Sequence, residues 1–381
     1  MCGITSAHDS KRVVRLRFHN KEKIIKPTIN GETKMPKVSI IIPAYNTEFV
    51  VGEAIASCLC QEFVELEADI EILLVDDGSS DGTLRVAFEF AALDSRVRVI
   101  PLSQNVGTFA ARIAGVQESR GEFVLFLDSD DVLPKHAVAN YLRALHNEPN
   151  VEIVFADRIT HSENAQKITR NFAHLAAPCV LFGAQIFAEV FATKTWQSSR
   201  WTQTGKLYTR AILLRAIAFV RETWGEIPSG IAGFEDALFS LAILQFAQKA
   251  LVIDEVLYEY LWRNRAEKMR NIVETHVAPH VRFMHNARVI GLMQELADTP
   301  KVRDSTLCAH VQTLLWHIKY DYYAGQRHGD VFVALDAPDS VQTSIVPIYL
   351  RAVTNSMCYG KRGRAILRML LFMISLGRIR R

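Results

Sequence analysis

The chain has 381 residues, 49% of them hydrophobic and 22% charged, which is enough apolar material for a large globular core. Its net charge of +3 is too near neutral for a general nucleic-acid binder. No apolar run approaches the ~20 residues of a membrane span, and the six scattered cysteines form neither a zinc spacing nor a disulfide framework, so a reducing compartment is the expectation.

Residues 1–36 are polar and basic without an apolar h-region, so no secretory signal is expected there. They read as a flexible arm with a short strand at Arg12–Phe18. From Lys37 a regular alternation begins. Val38–Pro43 is a buried strand, Glu53–Gln61 has helical spacing, and Ile70–Val75 is a second strand. Asp76-Asp77-Gly78-Ser79-Ser80-Asp81 is a turn with Ser80 or Asp81 as the cap of a helix over Thr83–Leu93. Val97–Ile100 is a strand, Thr108–Ser119 a helix, Phe123–Leu127 a strand, Val138–His146 a helix and Val151–Ala156 a strand. Such alternation predicts βαβ units and a mostly parallel sheet. Residues 158–200 are aromatic-rich and read as helical. Helices are expected at Thr209–Phe219 and Asp236–Lys249, with short strands at Leu251–Asp254 and Val256–Trp262. Residues 268–325 read as helices broken near Pro279 and Pro300.

Three polar clusters follow three apolar strands: Pro43-Ala44-Tyr45-Asn46, Asp76-Asp77-Gly78-Ser79 and Asp128-Ser129-Asp130-Asp131. In a parallel sheet all three fall on one edge, at the carboxyl ends, where such sheets bind ligands. Helix capping accounts for one acidic turn more readily than for three on one edge. Crowded carboxylates repel unless a cation joins them, and a hard divalent metal carrying phosphate suits that role. Neither a G-x-G-x-x-G after the first strand nor a P-loop occurs, so phosphate is not handled by those devices.

These clusters, with Asn105-Val106-Gly107 and Ala111-Arg112, resemble in order and spacing the family 2 glycosyltransferases. The resemblance is strong over 37–160 and reaches 201–262. It implies an α/β GT-A fold with a mostly parallel central sheet, followed by a helical C-terminal region. It also implies a nucleotide-sugar donor, a UDP-hexose or UDP-N-acetylhexosamine, a divalent Mn or Mg ion, and inverting transfer to a glycan or lipid-linked acceptor in surface polysaccharide or lipopolysaccharide assembly. By that resemblance Pro43, Tyr45, Asn46 and Asp76 line the nucleoside pocket, and Asp77 accepts from the uracil ring nitrogen. Gly107 and Arg112 border the donor, Asp128 and Ser129 lie at the ribose and metal, and Asp130 with Asp128 holds the metal. Asp131 is expected only to cap the turn into the next helix.

Gly233-Phe234-Glu235-Asp236 resembles the family's acid pair, with Asp236 as the base that deprotonates the acceptor, although first-turn acids are also favoured by the helix dipole. Gly205-Lys206-Leu207-Tyr208 resembles the segment before that pair, where the family often has asparagine in place of Gly205. Lys206 is read as a donor or acceptor contact, with a solvated lysine as the plain alternative. Arg263, after Tyr260-Leu261-Trp262, is read as a phosphate contact. Trp196, Trp201, Trp224 and Trp262 suit either sugar stacking or core packing. His276, His280 and His285 share no acidic partner at matching spacing, and no metal is expected there.

The expected domains are the arm 1–36, a GT-A domain 37–265, a helical region 266–344 and a basic amphipathic tail 345–381. Residues 361–381 hold seven basic residues around Met369–Ile374. They suit a helix in the interface of an anionic membrane, on the cytoplasmic face of the inner membrane, or a helix docked on the protein's own core. The cytoplasm is the expected location, no nucleic-acid partner is expected, and the oligomeric state is left open. Two alternatives stand beside the transferase reading. A nucleotidyltransferase would need a Gly/Lys-rich phosphate loop that Pro43-Ala44-Tyr45-Asn46 is not; a non-catalytic glycan-binding or scaffold protein is opposed by the intact Asp128, Asp130 and Asp236.

Overall fold

The computed structural model describes residues 14–18, 21–25, 37–63, 69–162, 165–191, 198–231, 234–262, 279–303 and 315. The chain divides into two compact units, Met1–His276 and Val277–Arg381. Arg263, Trp196, Gly233, His276 and the basic tail lie outside the described residues.

In the first unit, β1 (Val14–Phe18) pairs antiparallel with β2 (Lys21–Ile25). The first of these strands was expected and its partner was not. The main sheet contains β3 (Val38–Ala44), β4 (Ile70–Asp76), β5 (Val97–Pro101), β6 (Phe123–Phe126), β7 (Ile153–Ser162), β8 (Ala165–Thr169), β9 (Cys179–Phe182), β10 (Lys206–Thr209) and β11 (Lys249–Leu261). Its order is β5-β4-β3-β6-β10-β7-β11-β9, with β8 paired to β7. The helices of this unit are α1 (Val51–Leu59), α2 (Thr83–Leu93), α3 (Thr108–Glu118), α4 (Ala137–Asn147), α5 (Ala184–Val190), α6 (Arg210–Trp224) and α7 (Glu235–Leu244).

The first four strands in sheet order are parallel, as expected. Every residue of β3 and β4 is buried, which suits strands covered on both faces. Two of their polar residues are paired: the Ser39 hydroxyl donates to Glu71 Oε1 at 2.6 Å, and Arg98 meets the same carboxylate at 2.9 Å. The chain runs outward from β3 to β5 and then returns to the other side of β3 at β6. That reversal opens a crevice at the carboxyl ends of β3 and β6, the position where open α/β sheets receive ligands.

Beyond β6 the sheet becomes mixed. β10 is antiparallel to both β6 and β7, β11 is parallel to β7, and β9 is antiparallel to β11. The four-residue β10 was not expected as a strand, because it is too short to show a period. Residues 158–200 also depart from the helical expectation. β7 runs on to Ser162, β8 and β9 follow, and the helical pieces there, among the described residues, are α5 and a 3-10 turn at Ser198–Arg200, with the Phe187 and Phe191 rings 4.8 Å apart and tilted at 49°. The two short strands expected near 251–262 form one long β11, whose register shifts around the exposed Asp254 and Glu255. Bulged strands keep pairing past such an interruption.

The second unit contains α8 (Pro279–Asp298) and α9 (Pro300–Arg303). α8 ends at Asp298 and α9 begins at Pro300, so the helices are broken near Pro300 as expected, and Pro279 is the first residue of α8, where no N–H is needed. Among the described residues no helix is long and apolar enough to cross a membrane.

Candidate active site at the carboxyl ends of the strands

The loops after β3 and β4 are laced together. Asn46, in the left-handed region at φ 51°, donates its N–H to Ser79 Oγ at 3.0 Å and accepts the Ser80 N–H on Oδ1 at 2.8 Å. Asp81 accepts the N–H groups of Glu48 at 3.1 Å and Thr83 at 2.9 Å in the turn before α2, whose N-cap residue is Gly82 rather than the expected Ser80 or Asp81. Pro43 is buried and Tyr45 half-buried beside this junction. Asp76 accepts the Ser79 N–H on Oδ2 at 3.2 Å, while its Oδ1 is buried with no hydrogen-bond partner.

Asp77 uses one carboxylate oxygen for the Val106 N–H at 2.7 Å and the other for Gly107 at 2.9 Å. Burial pushes its pKa up, and those two amides oppose the rise. Each oxygen has a second lone pair, so the group can shape the 105–107 loop and still accept from a ligand N–H. Gly107 is at φ 87°, and a Cβ there would come 3.1 Å from the Ile231 carbonyl oxygen, so both conformation and space require glycine.

Arg112, on α3, is only 3% exposed and joins the two sides of the crevice. Its Nη2 donates to Asp128 Oδ1 at 2.8 Å and its Nη1 to Asp236 Oδ1 at 2.5 Å. Burial alone would weaken the guanidinium's charge, but Asp236, Asp128 and Glu235 outweigh it and raise its pKa. Asp128 is half-buried, and burial raises its pKa against the pull of Arg112, with repulsion from Asp236 and Asp130 adding to the rise. Ser129 is buried and Asp130 half-buried in the same turn.

Asp131 does not cap the next helix. It reaches across to β11, where its Oδ2 accepts the Tyr258 hydroxyl at 2.6 Å and its Oδ1 the Leu261 N–H at 2.9 Å. Burial, then the charges of Asp128 and Asp130, push its pKa up to about 8. The reason for the departure is that α4 starts only at Ala137, so the carboxylate lies nearer the crossing strand.

The acid pair opens α7. Phe234, just before it, is left-handed at φ 56°. The Asp236 side chain is 17% exposed, and its backbone carbonyl accepts from Gln203 Nε2 at 2.9 Å. Glu235 is half-buried, and burial followed by the Asp236 charge pushes its pKa up to about 7. Lys206, expected at donor or acceptor, lies instead in the core at 2% exposure, with its ammonium donating to backbone carbonyls of Ser199, Thr202 and Thr204. β10 turns its side chain inward. Trp201 is buried, Trp224 half-buried and Trp262 59% exposed.

The crevice thus gathers Asp76, Asp77, Gly107, Arg112, Asp128 and Asp236 from five segments. Sequence reasoning missed Tyr258 and Gln203, whose only signal was a place in ordinary-looking strand and loop residues. The donor set also fits a divalent cation. Asp128 and Asp130 are hard oxygen donors under mutual repulsion, and among the described residues no group of three or more His, Cys, Asp or Glu forms a closed cage. Mg and Mn need no such cage, since one or two carboxylates and substrate phosphates suffice.

Residues 39–218 match the family model described as Glycosyl transferase family 2, and over this segment the chain is similar to that family. An uncharacterized glycosyltransferase of Haemophilus influenzae is 38% identical over 99 residues, 26% of this chain and 38% of the relative. The uncharacterized glycosyltransferase EpsJ of Bacillus subtilis is 30% identical over 230 residues, 59% of this chain and 61% of the relative. The succinoglycan biosynthesis protein ExoO of Rhizobium meliloti is 41% identical over 100 residues, 26% of this chain and 27% of the relative. The alignments therefore span less than two thirds of each of these relatives. Among solved structures, S. aureus TarS 1-349 superposes with a TM-score of 0.51 at 19% identity, covering 83% of this chain and 79% of TarS. The same protein in complex with UDP-GlcNAc gives 0.51 at 19% identity, covering 84% and 86%. At this identity the likeness is one of fold, and the fold is GT-A.

Proposed function

We propose that the chain is a metal-dependent glycosyltransferase, moving a hexose or N-acetylhexosamine from UDP to a glycan or lipid-linked acceptor with inversion. The observation that carries this is Arg112, whose two amino groups bind Asp128 at the β6 turn and Asp236 at the start of α7. One buried cation thus sets the distance between a phosphate-and-metal end and an acid pair.

In this reading Tyr45, Pro43 and Asn46 wall the nucleoside, and Asp77, with Asp76 Oδ1 beside it, accepts from the base. A Mn or Mg ion would be held by Asp130 and Asp128, and when bound it offsets charge developing on the leaving diphosphate. Asp236 takes the proton from the acceptor hydroxyl. The acceptor oxygen bonds to the anomeric carbon as the bond to the diphosphate oxygen breaks, and a single displacement of this kind inverts that carbon. Glu235 is a second candidate base, favoured by a pKa of about 7, close to a working pH. Arg263, outside the described residues, remains a proposed phosphate contact. The complex of TarS with UDP-GlcNAc supports a UDP-linked donor, and the name of ExoO supports polysaccharide assembly as the setting. We take 37–265 as the catalytic domain. The basic residues near the C-terminus support peripheral contact with an anionic cytoplasmic membrane face.

The test is UDP release from UDP-glucose, UDP-galactose and their N-acetylated counterparts, with and without Mn. Metal-dependent release from one of these, lost in Asp130→Ala together with metal-dependent UDP binding, is the expected result. Release that ignores both the metal and Asp130 would overturn the metal assignment, and no release from any UDP-sugar with any acceptor tried would overturn the donor class.

A further inference from the structure

Lys206 points into the core from β10, and its surroundings are specific. The three hydrogens of an ammonium are matched by three backbone carbonyls: Ser199 at 3.1 Å, Thr204 at 3.2 Å, and Thr202. Burial brings the Lys206 pKa down to about 7, while the Asp236 carboxylate works in favour of its charge. All three carbonyls belong to one segment, residues 198–204, immediately before β10.

That same segment grips the start of α7. The Trp201 ring lies 6.2 Å from the Phe234 ring at 37°. Gln203 Nε2 donates to the Asp236 carbonyl and to Ser240 Oγ, both at 2.9 Å, and Ser240 Oγ donates to the Trp201 carbonyl at 2.7 Å. Gln203 is itself oriented, because its Oε1 accepts the Tyr208 hydroxyl at 3.1 Å. Phe234 is left-handed, a conformation that a bulky residue keeps only where its surroundings fix it. The Trp201 ring packs beside Phe234, and Gln203 holds the Asp236 carbonyl two residues on.

We propose that Lys206 is a positioning residue for the acid pair: its ammonium clamps residues 198–204, and that segment, through Trp201 and Gln203, fixes Phe234 and the start of α7 so that Asp236 faces the acceptor hydroxyl. The inference rests on Asp236 as the base. It replaces the expected donor contact of Lys206 with an indirect role, and it makes Gln203 the link between the buried cation and the acid pair.

The experiment compares full-length wild type with Lys206→Met, Gln203→Leu, Asp236→Asn and the two double variants with Asp236→Asn. Turnover is read as UDP release from a mixture of UDP-glucose, UDP-galactose, UDP-GlcNAc and UDP-GalNAc with Mn, and affinity as UDP titration. Misplacing a catalytic group by about 1 Å costs about 100-fold in rate, so Lys206→Met and Gln203→Leu should lower kcat by about that factor, with UDP affinity held within about threefold. In the Asp236→Asn background neither should lower the residual rate further. A further drop of similar size there, or a loss of UDP affinity with kcat unchanged, would overturn the proposal. If Lys206→Met does not fold, Gln203→Leu reads the same link without removing a buried cation. Wild-type turnover in Asp236→Asn alone removes the base assignment and this inference with it; loss in Asp236→Asn followed by additive loss in the doubles removes the inference only.

Discussion

The two halves of the sheet hold buried charge in different ways. On the β5-β4-β3-β6 side, carboxylates are held by backbone amides of neighbouring loops: Asp77 by Val106 and Gly107, Asp81 by Glu48 and Thr83, Asp76 by Ser79. On the β10-β7-β11 side, charges are held across long stretches of chain. Asp131 meets Tyr258 at a separation of 127 residues, and Arg112, reaching over from α3, meets Asp236 at 124. A site shaped by loop amides suits a ligand that must be recognised in one fixed pose, whereas a reacting group can be placed through a few side chains that single substitutions reach. The first half should therefore govern affinity, and the second half rate and stability.

The largest effect should come from Asp236→Asn. Loss of a general base lowers turnover by about 10²- to 10⁴-fold, while UDP affinity stays near wild type. Asp77→Asn should do the reverse, with UDP affinity falling more than kcat; equal losses in both variants would erase the distinction between the halves. Next comes Arg112→Leu, which leaves two carboxylates facing each other without their cation. Breaking one partner out of a buried pair costs about 3–5 kcal/mol, read by urea unfolding, and a change below about 1 kcal/mol would mean Arg112 does not join the halves. Tyr258→Phe removes the hydroxyl on Asp131 and should cost about 1–3 kcal/mol.

A pH effect should be smaller. The folded pKa of Glu235, about 7, lies above its ordinary 4.5, so the folded protein favours the protonated acid. Its contribution is fully present below about 4.5 and is lost as pH rises through about 7. Glu235→Gln should flatten the fall in stability across that window, and an unchanged slope would contradict the burial of this acid. Smallest of all is Glu89→Ala, which removes the exposed pair with Arg85; it should cost no more than about 0.5 kcal/mol.

The parallel half was legible in the sequence because its signals are local. The apolar runs of β3 and β4 are interrupted only by Ser39 and Glu71, and α2 begins and ends at the expected Thr83 and Leu93, since its turn and its period lie side by side in the chain. The other half was much less legible. A four-residue β10 carries no period, β8 is set by its hairpin with β7, and β9 is fixed by pairing with distant β11 rather than by its own pattern. Asp131 read as a cap because its partner, Tyr258, lies far along the chain. Lys206 read as a ligand contact or a solvated lysine because its partners, the backbone carbonyls of nearby Ser199, Thr202 and Thr204, leave no mark in a side-chain pattern. The site residues near Asp77 could thus be named from their neighbours, while the elements that hold Asp236 in place could not.

The most direct test compares UDP binding and turnover in Asp130→Ala and Asp236→Asn, measured side by side with Mn. The account predicts that Asp130→Ala loses metal-dependent UDP binding, and that Asp236→Asn keeps UDP binding while losing turnover. Wild-type turnover in Asp236→Asn, or unchanged metal-dependent binding in Asp130→Ala, would contradict the division of the site into a binding half and a reacting half joined by Arg112.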